Sequence, residues 1–282
     1  MNNIDLGIIG LPNVGKSSFF KLLTNNNNNY YKKKIINNYP FSTIKPNISN
    51  INIYDYRLIK LSKILNFKNY IFNKIKLIDI AGIIKNSYKG KGLGNLFLSY
   101  ISNTKILINV LRLFYDNKII NINKNIIDPI YESNIINNEL LMKDIIILKK
   151  YINKNKKKNI NIYKKILLIL EKKNLKKIKK ICYENYKKIK KFNFLSLKPI
   201  INICNINKYT NKDEILIIKE YFKKKKKKIF FLNIKKLIKK KNINNTINKI
   251  INIVYKKLNL NTFFTLDKKK NTICSWKIKK KT

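Results

Sequence analysis

The chain has 282 residues, enough for one large domain or two smaller ones with a sizeable core. Its 63 Lys+Arg against 14 Asp+Glu give a formal charge of +49, but Asn, Ile, Lys and Tyr are abundant throughout and Gly is scarce, so skewed codon usage explains much of the lysine excess. The lack of histidine excludes His-based triads and zinc sites, and no apolar run reaches the ~18 residues of a membrane span.

Asp5–Ile9 reads as a short buried strand and Lys16–Thr24 as a helix. Between them lies Gly10-Leu-Pro-Asn-Val-Gly15-Lys16-Ser17, which matches G-x-x-x-x-G-K-[ST] in the strand–loop–helix context that gives this pattern its meaning. Backbone N–H groups from Asn13 to Ser18 can wrap a β-phosphate at the helix N-terminus. Lys16 would reach the β- and γ-phosphates, and Ser17 Oγ would bind Mg²⁺. The segment Asn25–Lys34, "NNNNNYYKKK", is of low complexity and reads as a loop.

"YPFSTIKPN" (Tyr39–Asn47) offers Thr43 as a switch threonine closing over Mg²⁺; the alternative is an ordinary loop threonine bounded by prolines. Strand-like runs follow at Ile51–Tyr54 and Ile75–Ile80. The second ends in Asp79-Ile-Ala-Gly82, a D-x-x-G element. Asp79 would hold Mg²⁺, usually through a water, and Gly82 N–H would meet the γ-phosphate. Three of the seven glycines, Gly90, Gly92 and Gly94, then cluster in Lys85–Asn95, which reads as a second switch segment.

Further strands are expected at Ile106–Leu113, Pro199–Cys204 and Ile229–Asn233. Strands alternating with helices imply a P-loop α/β domain, with a mainly parallel sheet and helices on both faces. Residues 126–192 break the alternation. Apolar residues at helical spacing there fit two long antiparallel helices forming an inserted coiled-coil arm, with "KNKKKN" (Lys154–Asn159) at its tip. The alternative is a helix pair packed on the core. Nucleotide-domain boundaries are therefore set at 1–125 and 193–257. Cys182, Cys204 and Cys274 lack metal spacing, and the N-terminus lacks a basic-then-apolar leader; both suit a reduced, cytoplasmic protein.

"GLPNVGKSS", "NYPFSTIKPN", "DIAGIIKNSYKGKGLGNLFLSYI", "IINNELLMKD" and "NLNTFFT" closely resemble the Obg-like ATPases, the YchF-type branch of the translation-factor GTPase class. The resemblance covers nearly the whole chain. It implies an α/β nucleotide domain with an inserted coiled-coil arm and a following ubiquitin-like TGS domain. It also implies slow Mg²⁺-dependent ATP hydrolysis and association with the ribosome, on its large subunit and rRNA, by a monomer that needs neither membrane nor DNA.

Three positions depart from that pattern. Leu258–Thr282 resembles only the start of a TGS domain. The base-reading motif, N-K-x-D in GTPases and N-x-x-E in this family, falls on Asn205-Ile206-Asn207-Lys208, which keeps Asn205 but has lysine at the acidic position. The last base-contacting loop, after Phe230–Leu232, has no match. Ile83, by contrast, agrees with the family, which the resemblance implies has an apolar residue where many GTPases have the glutamine that orients water. Asn13 matches an asparagine that helps hold K⁺ in related potassium-activated enzymes; its alternative is a loop-capping side chain. The expectation is an ATP-dependent switch with Lys16, Thr43 and Gly82 at the phosphates and Asn205 at the base. A GTPase and a non-hydrolysing RNA-binding protein remain as alternatives.

Overall fold

A computed structural model describes residues 4–24, 46–80, 82, 93–116, 127–155, 160–239, 244–267 and 272–279. In chain order the nucleotide half contains β1 (Ile4–Ile9), α1 (Lys16–Thr24), β2 (Asn47–Asn52), α2 (Tyr56–Ile64), β3 (Asn69–Ile71), β4 (Lys74–Asp79), α3 (Leu93–Asn103) and β5 (Ile106–Leu113). The insert contains α4 (Pro129–Lys154), α5 (Asn161–Glu171), α6 (Leu175–Glu184) and α7 (Tyr186–Ile189). After it come β6 (Ile200–Ile206), α8 (Lys212–Lys224), β7 (Ile229–Leu232), α9 (Ile234–Lys239), α10 (Asn244–Lys257), β8 (Leu260–Asp267) and β9 (Thr272–Lys279).

Six strands form one sheet in the order β2-β4-β1-β5-β6-β7, parallel except for the edge strand β2. Near-continuous apolar runs suit strands covered on both faces, and Ile8, Leu77, Ile108 and Ile203 are fully buried at its centre. β1 lies between β4 and β5, so the loop leaving its C-terminal end opens where connections diverge to either side, the usual ligand position in such sheets. β2 begins four residues before the expected Ile51, because its antiparallel ladder with β4 starts at Asn47 opposite Asp79.

The insert differs from the expected pair of long helices. Its first limb, α4, is one continuous helix with Pro129 in its first turn and Asp128 accepting from Ile130 N (2.8 Å) and Tyr131 N (3.1 Å). The returning limb is cut into α5, α6 and α7. Lys173 takes a left-handed φ of 54°, and Asn174 caps the next helix through Lys177 N (3.1 Å). An asparagine that bonds its own downstream backbone offers the chain an alternative to continuing the helix and caps the next one. Ile136 and Leu140 of α4 pack into the sheet core. Further along, Leu148 joins Ile166, Leu170 and Ile178 in a separate core. The root thus packs on the sheet and the outer half makes its own interior.

Asp144 fastens that root. Wholly buried on α4, its carboxylate accepts from Leu195 N and Ser196 N, both at 2.8 Å, where the chain returns to the sheet. Burial pushes its carboxyl up to about 6, against those bonds and the Lys198 charge. A raised folded-state value means the native state holds the proton more tightly. Stability from this group is therefore present at acid pH and falls as pH climbs from the ordinary carboxylate range toward 6. Asp144→Ala should cost about 2–4 kcal/mol by leaving two buried donors unpaired, read from the urea midpoint. Asp144→Asn should flatten the decline between pH 4 and 6.

The segment expected to begin a TGS domain forms the hairpin β8–β9, and β9 pairs in parallel with β3 in a second sheet ordered β3-β9-β8. Arg57 of α2 donates to Thr262 Oγ1 (3.0 Å), and Asn73 N–H donates to Ser275 Oγ (2.9 Å), which tie the hairpin to the nucleotide half.

Candidate functional site: a phosphate loop and its neighbours

The β1–α1 loop is shaped by two close approaches. A Cβ on Gly10 would lie 2.5 Å from Val110 O on β5. Gly15 adopts a φ of +99°, and a Cβ there would lie 2.6 Å from Asn205 Nδ2. Asn13 has a φ of 61°, a left-handed conformation that asparagine tolerates. Gly15 O accepts from Phe19 N (2.9 Å), so α1 starts directly beneath the loop. Val14 and Lys16 are buried there, while Ser17 and Ser18 are half-buried.

Lys16 Nζ donates to Leu11 O across the loop at 2.7 Å. Its ammonium has two further N–H donors. Desolvation lowers its pKa to about 8, and the charges of Asp79 and Glu132 partly restore it. Ser17 Oγ donates to Asp79 Oδ2 at 3.0 Å, bringing the loop hydroxyl against the end of β4. Burial pushes the Asp79 carboxyl up; Lys16 and the hydrogen bonds from Ser17 and Asn47 hold it down. Gly82 packs on the loop as well, since a Cβ there would lie 2.9 Å from Pro12 N.

These neighbours fit a divalent cation. A hydroxyl and one carboxylate, side by side, are the hard oxygen donors that Mg²⁺ takes from a protein when phosphates and water complete its shell. A positive ion there would also relieve the buried Asp79 carboxylate. Among the described residues no cluster of three acidic or cysteine side chains offers a metal a cage of its own.

From the opposite side comes Asn205, at the end of β6. Its Nδ2 donates to Val14 O (3.2 Å) and its Oδ1 accepts from Ile234 N at the start of α9 (3.4 Å). Asn205 thus braces the phosphate loop, which uses one of its two amide N–H donors. Asn207 makes a closed turn, accepting from Tyr209 N (3.0 Å) and donating to Tyr115 O (3.0 Å). The Lys208 ammonium is fully exposed, 4.6 Å above the Tyr209 ring.

Asn13, Val14, Gly15, Lys16, Ser17, Ser18, Asp79, Gly82 and Asn205 therefore converge. Thr43, Ile83, Gly90 and Gly92 lie outside the described residues. Two contributors escaped the sequence reading. Asn47 Nδ2 reaches Asp79 Oδ2 at 3.5 Å, and only the strand register reveals it. Glu132 of α4 is buried, accepts from Arg112 N (2.9 Å) and is pushed up by burial to about 7, against Arg112 and Lys16. It places the root of the insert within electrostatic reach of the phosphate lysine.

Residues 5–165 match the family model of the 50S ribosome-binding GTPases. The ribosome-binding ATPase YchF of Mycoplasma genitalium is 34% identical over 98% of this chain and 82% of its own. Its counterpart from Buchnera aphidicola subsp. Schizaphis graminum is 38% identical over 92% of this chain and 77% of its own. Among solved structures, the Schizosaccharomyces pombe YchF GTPase superposes with a TM-score of 0.72 at 27% identity, covering all of this chain and 82% of that one.

Proposed function

The chain belongs to the YchF-type ribosome-binding ATPases of the 50S ribosome-binding GTPase family, and on that premise we propose that it is a Mg²⁺-dependent ATP-binding protein and slow ATPase, a nucleotide switch on the ribosome. The observation carrying this reading is the convergence of Lys16, Ser17 and Asp79 in one buried corner, braced through Val14 by Asn205. Lys16 would grip the β- and γ-phosphates, and the loop N–H groups would orient them. Ser17 and Asp79 would hold Mg²⁺, which supplies charge neutralisation at the phosphates when bound. Thr43 and Gly82 would sense the γ-phosphate. With Ile83 at the water-orienting position, turnover is slow. Asn13 is proposed to hold K⁺ beside the phosphates; equal turnover in K⁺ and Na⁺ would remove that role.

The relatives are named both ATPase and GTPase, so base choice needs its own argument. Guanine presents N1–H and N2–H₂ donors, which guanine-specific sites meet with a carboxylate. Lys208 offers donors only, and its ammonium lies over Tyr209. Guanine would leave donors unpaired, whereas adenine has an acceptor at N1 and no N2 amine. ATP should therefore bind about tenfold more tightly than GTP. Competition of the two against one fluorescent nucleotide checks this; tighter GTP binding would refute it. Lys208→Asp should raise GTP affinity, and no gain would show that the position does not face the base.

Ribosome association is proposed to run through the lysine-rich insert (126–192) and Lys223–Lys228, toward the large subunit and its rRNA, with the protein acting as a cytoplasmic monomer. Phosphate contacts release counterions, so binding should weaken steeply with salt. Co-sedimentation at physiological salt with competing RNA tests it. Complete loss under competition would reduce the association to unspecific adhesion.

A further inference from the structure

The returning limb of the insert carries a surface that the nucleotide chemistry does not use. α6 turns Ile178 and Ile181 inward, yet Tyr183 is 82% exposed and Tyr186 is 59% exposed. Large rings gain most when covered, and these two stand bare beside a helix face that is already packed. Helical spacing places Lys179 one turn before Tyr183, and Lys190 Nζ lies 5.8 Å from the Tyr186 ring centre. Glu184 is the one acid of α6.

Two other elements bring lysines within the field of Lys179. Lys227 sits in the turn between α8 and β7, and Lys257 ends α10. Desolvation first, and then the ammonium groups of Lys225, Lys179 and Lys257, hold the Lys227 pKa below the ordinary lysine range. Lys257 is lowered in the same way, by desolvation and then by Lys179 and Lys228. No carboxylate contributes to either shift. The turn is fixed: Lys226 takes a φ of 54°, Lys227 N donates to Phe222 O at 2.9 Å, and Asn202 donates twice to Lys228 O, at 3.2 and 3.3 Å. Cations crowded on a rigid frame repel one another, and an anion laid among them removes that repulsion. This turn leads into the start of β7, so the face lies at the strands' N-terminal ends, away from the phosphate loop at their C-terminal ends.

We propose that this face, Tyr183 and Tyr186 flanked by Lys179, Lys227 and Lys257, binds an unpaired RNA strand, with the rings stacking on bases and the lysines meeting phosphates. A duplex hides the flat faces of its bases and would use only the lysines. The inference rests on the ribosome reading only for the source of the strand, an unpaired segment of rRNA.

The test is fluorescence anisotropy of the full chain with a labelled oligouridine and a labelled RNA duplex of equal length. Oligouridine should bind more tightly than the duplex. Tyr183→Ala with Tyr186→Ala should weaken oligouridine binding about tenfold or more and leave the duplex unchanged, and Phe at both positions should restore it. Lys227→Gln with Lys257→Gln should weaken both ligands and reduce the single-strand salt slope by about 1.4. Unchanged oligouridine affinity in the alanine variant, or equal affinity for strand and duplex, would overturn the proposal. Intact oligouridine binding without ribosome co-sedimentation would sink the ribosome reading and leave this face standing.

Discussion

Lys16→Ala should lower ATP affinity about 10- to 150-fold, the loss of a charge-assisted contact of about 1.5–3 kcal/mol. Lys16 is buried, within the fields of Asp79 and Glu132, and donates to Leu11 O at 2.7 Å. Its removal leaves two carboxyl groups near the phosphates without their nearest cation, so free ATP should lose more affinity than Mg²⁺–ATP. Titration with a fluorescent nucleotide measures both, and equal affinity in wild type and variant would show that the loop does not hold phosphate. Ser17→Ala should chiefly weaken the Mg²⁺ dependence, because it removes the hydroxyl that touches Asp79.

Gly15→Ala should be still more disruptive, because it affects fold and site together. The residue's φ of +99° strains any L side chain, and the new methyl would lie 2.6 Å from Asn205 Nδ2. Asn205 would have to give up Val14 O, and the loop would lose its brace. Strain and the lost bond together should cost about 2–4 kcal/mol. Nucleotide affinity should fall by more than tenfold as the N–H groups lose their common focus. Thermal unfolding with and without ATP separates the two effects: the apo midpoint should drop, and the stabilisation by ATP should shrink. A variant with wild-type midpoints would mean that the loop does not depend on the Asn205 brace.

Much of this corner is legible from local pattern. A glycine loop between an apolar strand and a helix fixes its own geometry, so Gly10–Ser18 and β1 stand where their residues place them. The strand β5 follows from an apolar run buried on both faces. What pattern cannot supply is pairing. Asn47 meets Asp79 because β2 runs antiparallel to β4 in one particular register, and no spacing between residues 47 and 79 encodes that. Glu132 reads as one more helix acid until α4 is laid against β5. Asn205 reads as a base contact from its motif, and only the fold shows that its amide also braces Val14 and Ile234. The return limb reads as one helix because its apolar spacing runs through; Asn174 and the left-handed Lys173 break it by local backbone bonding, which hydrophobic periodicity does not register. The hairpin at the C-terminal end docks on β3, a three-residue strand too short and too exposed to show a period of its own.

The most direct test of the proposed ATPase is single-protein turnover: phosphate release from ATP by the purified chain, with Mg²⁺ and with the metal chelated, beside the Lys16→Ala variant. The expected result is slow release that requires Mg²⁺ and disappears in the variant. Release at the variant's background level under all conditions would contradict hydrolysis and leave a protein that binds nucleotide, or RNA, without turning it over.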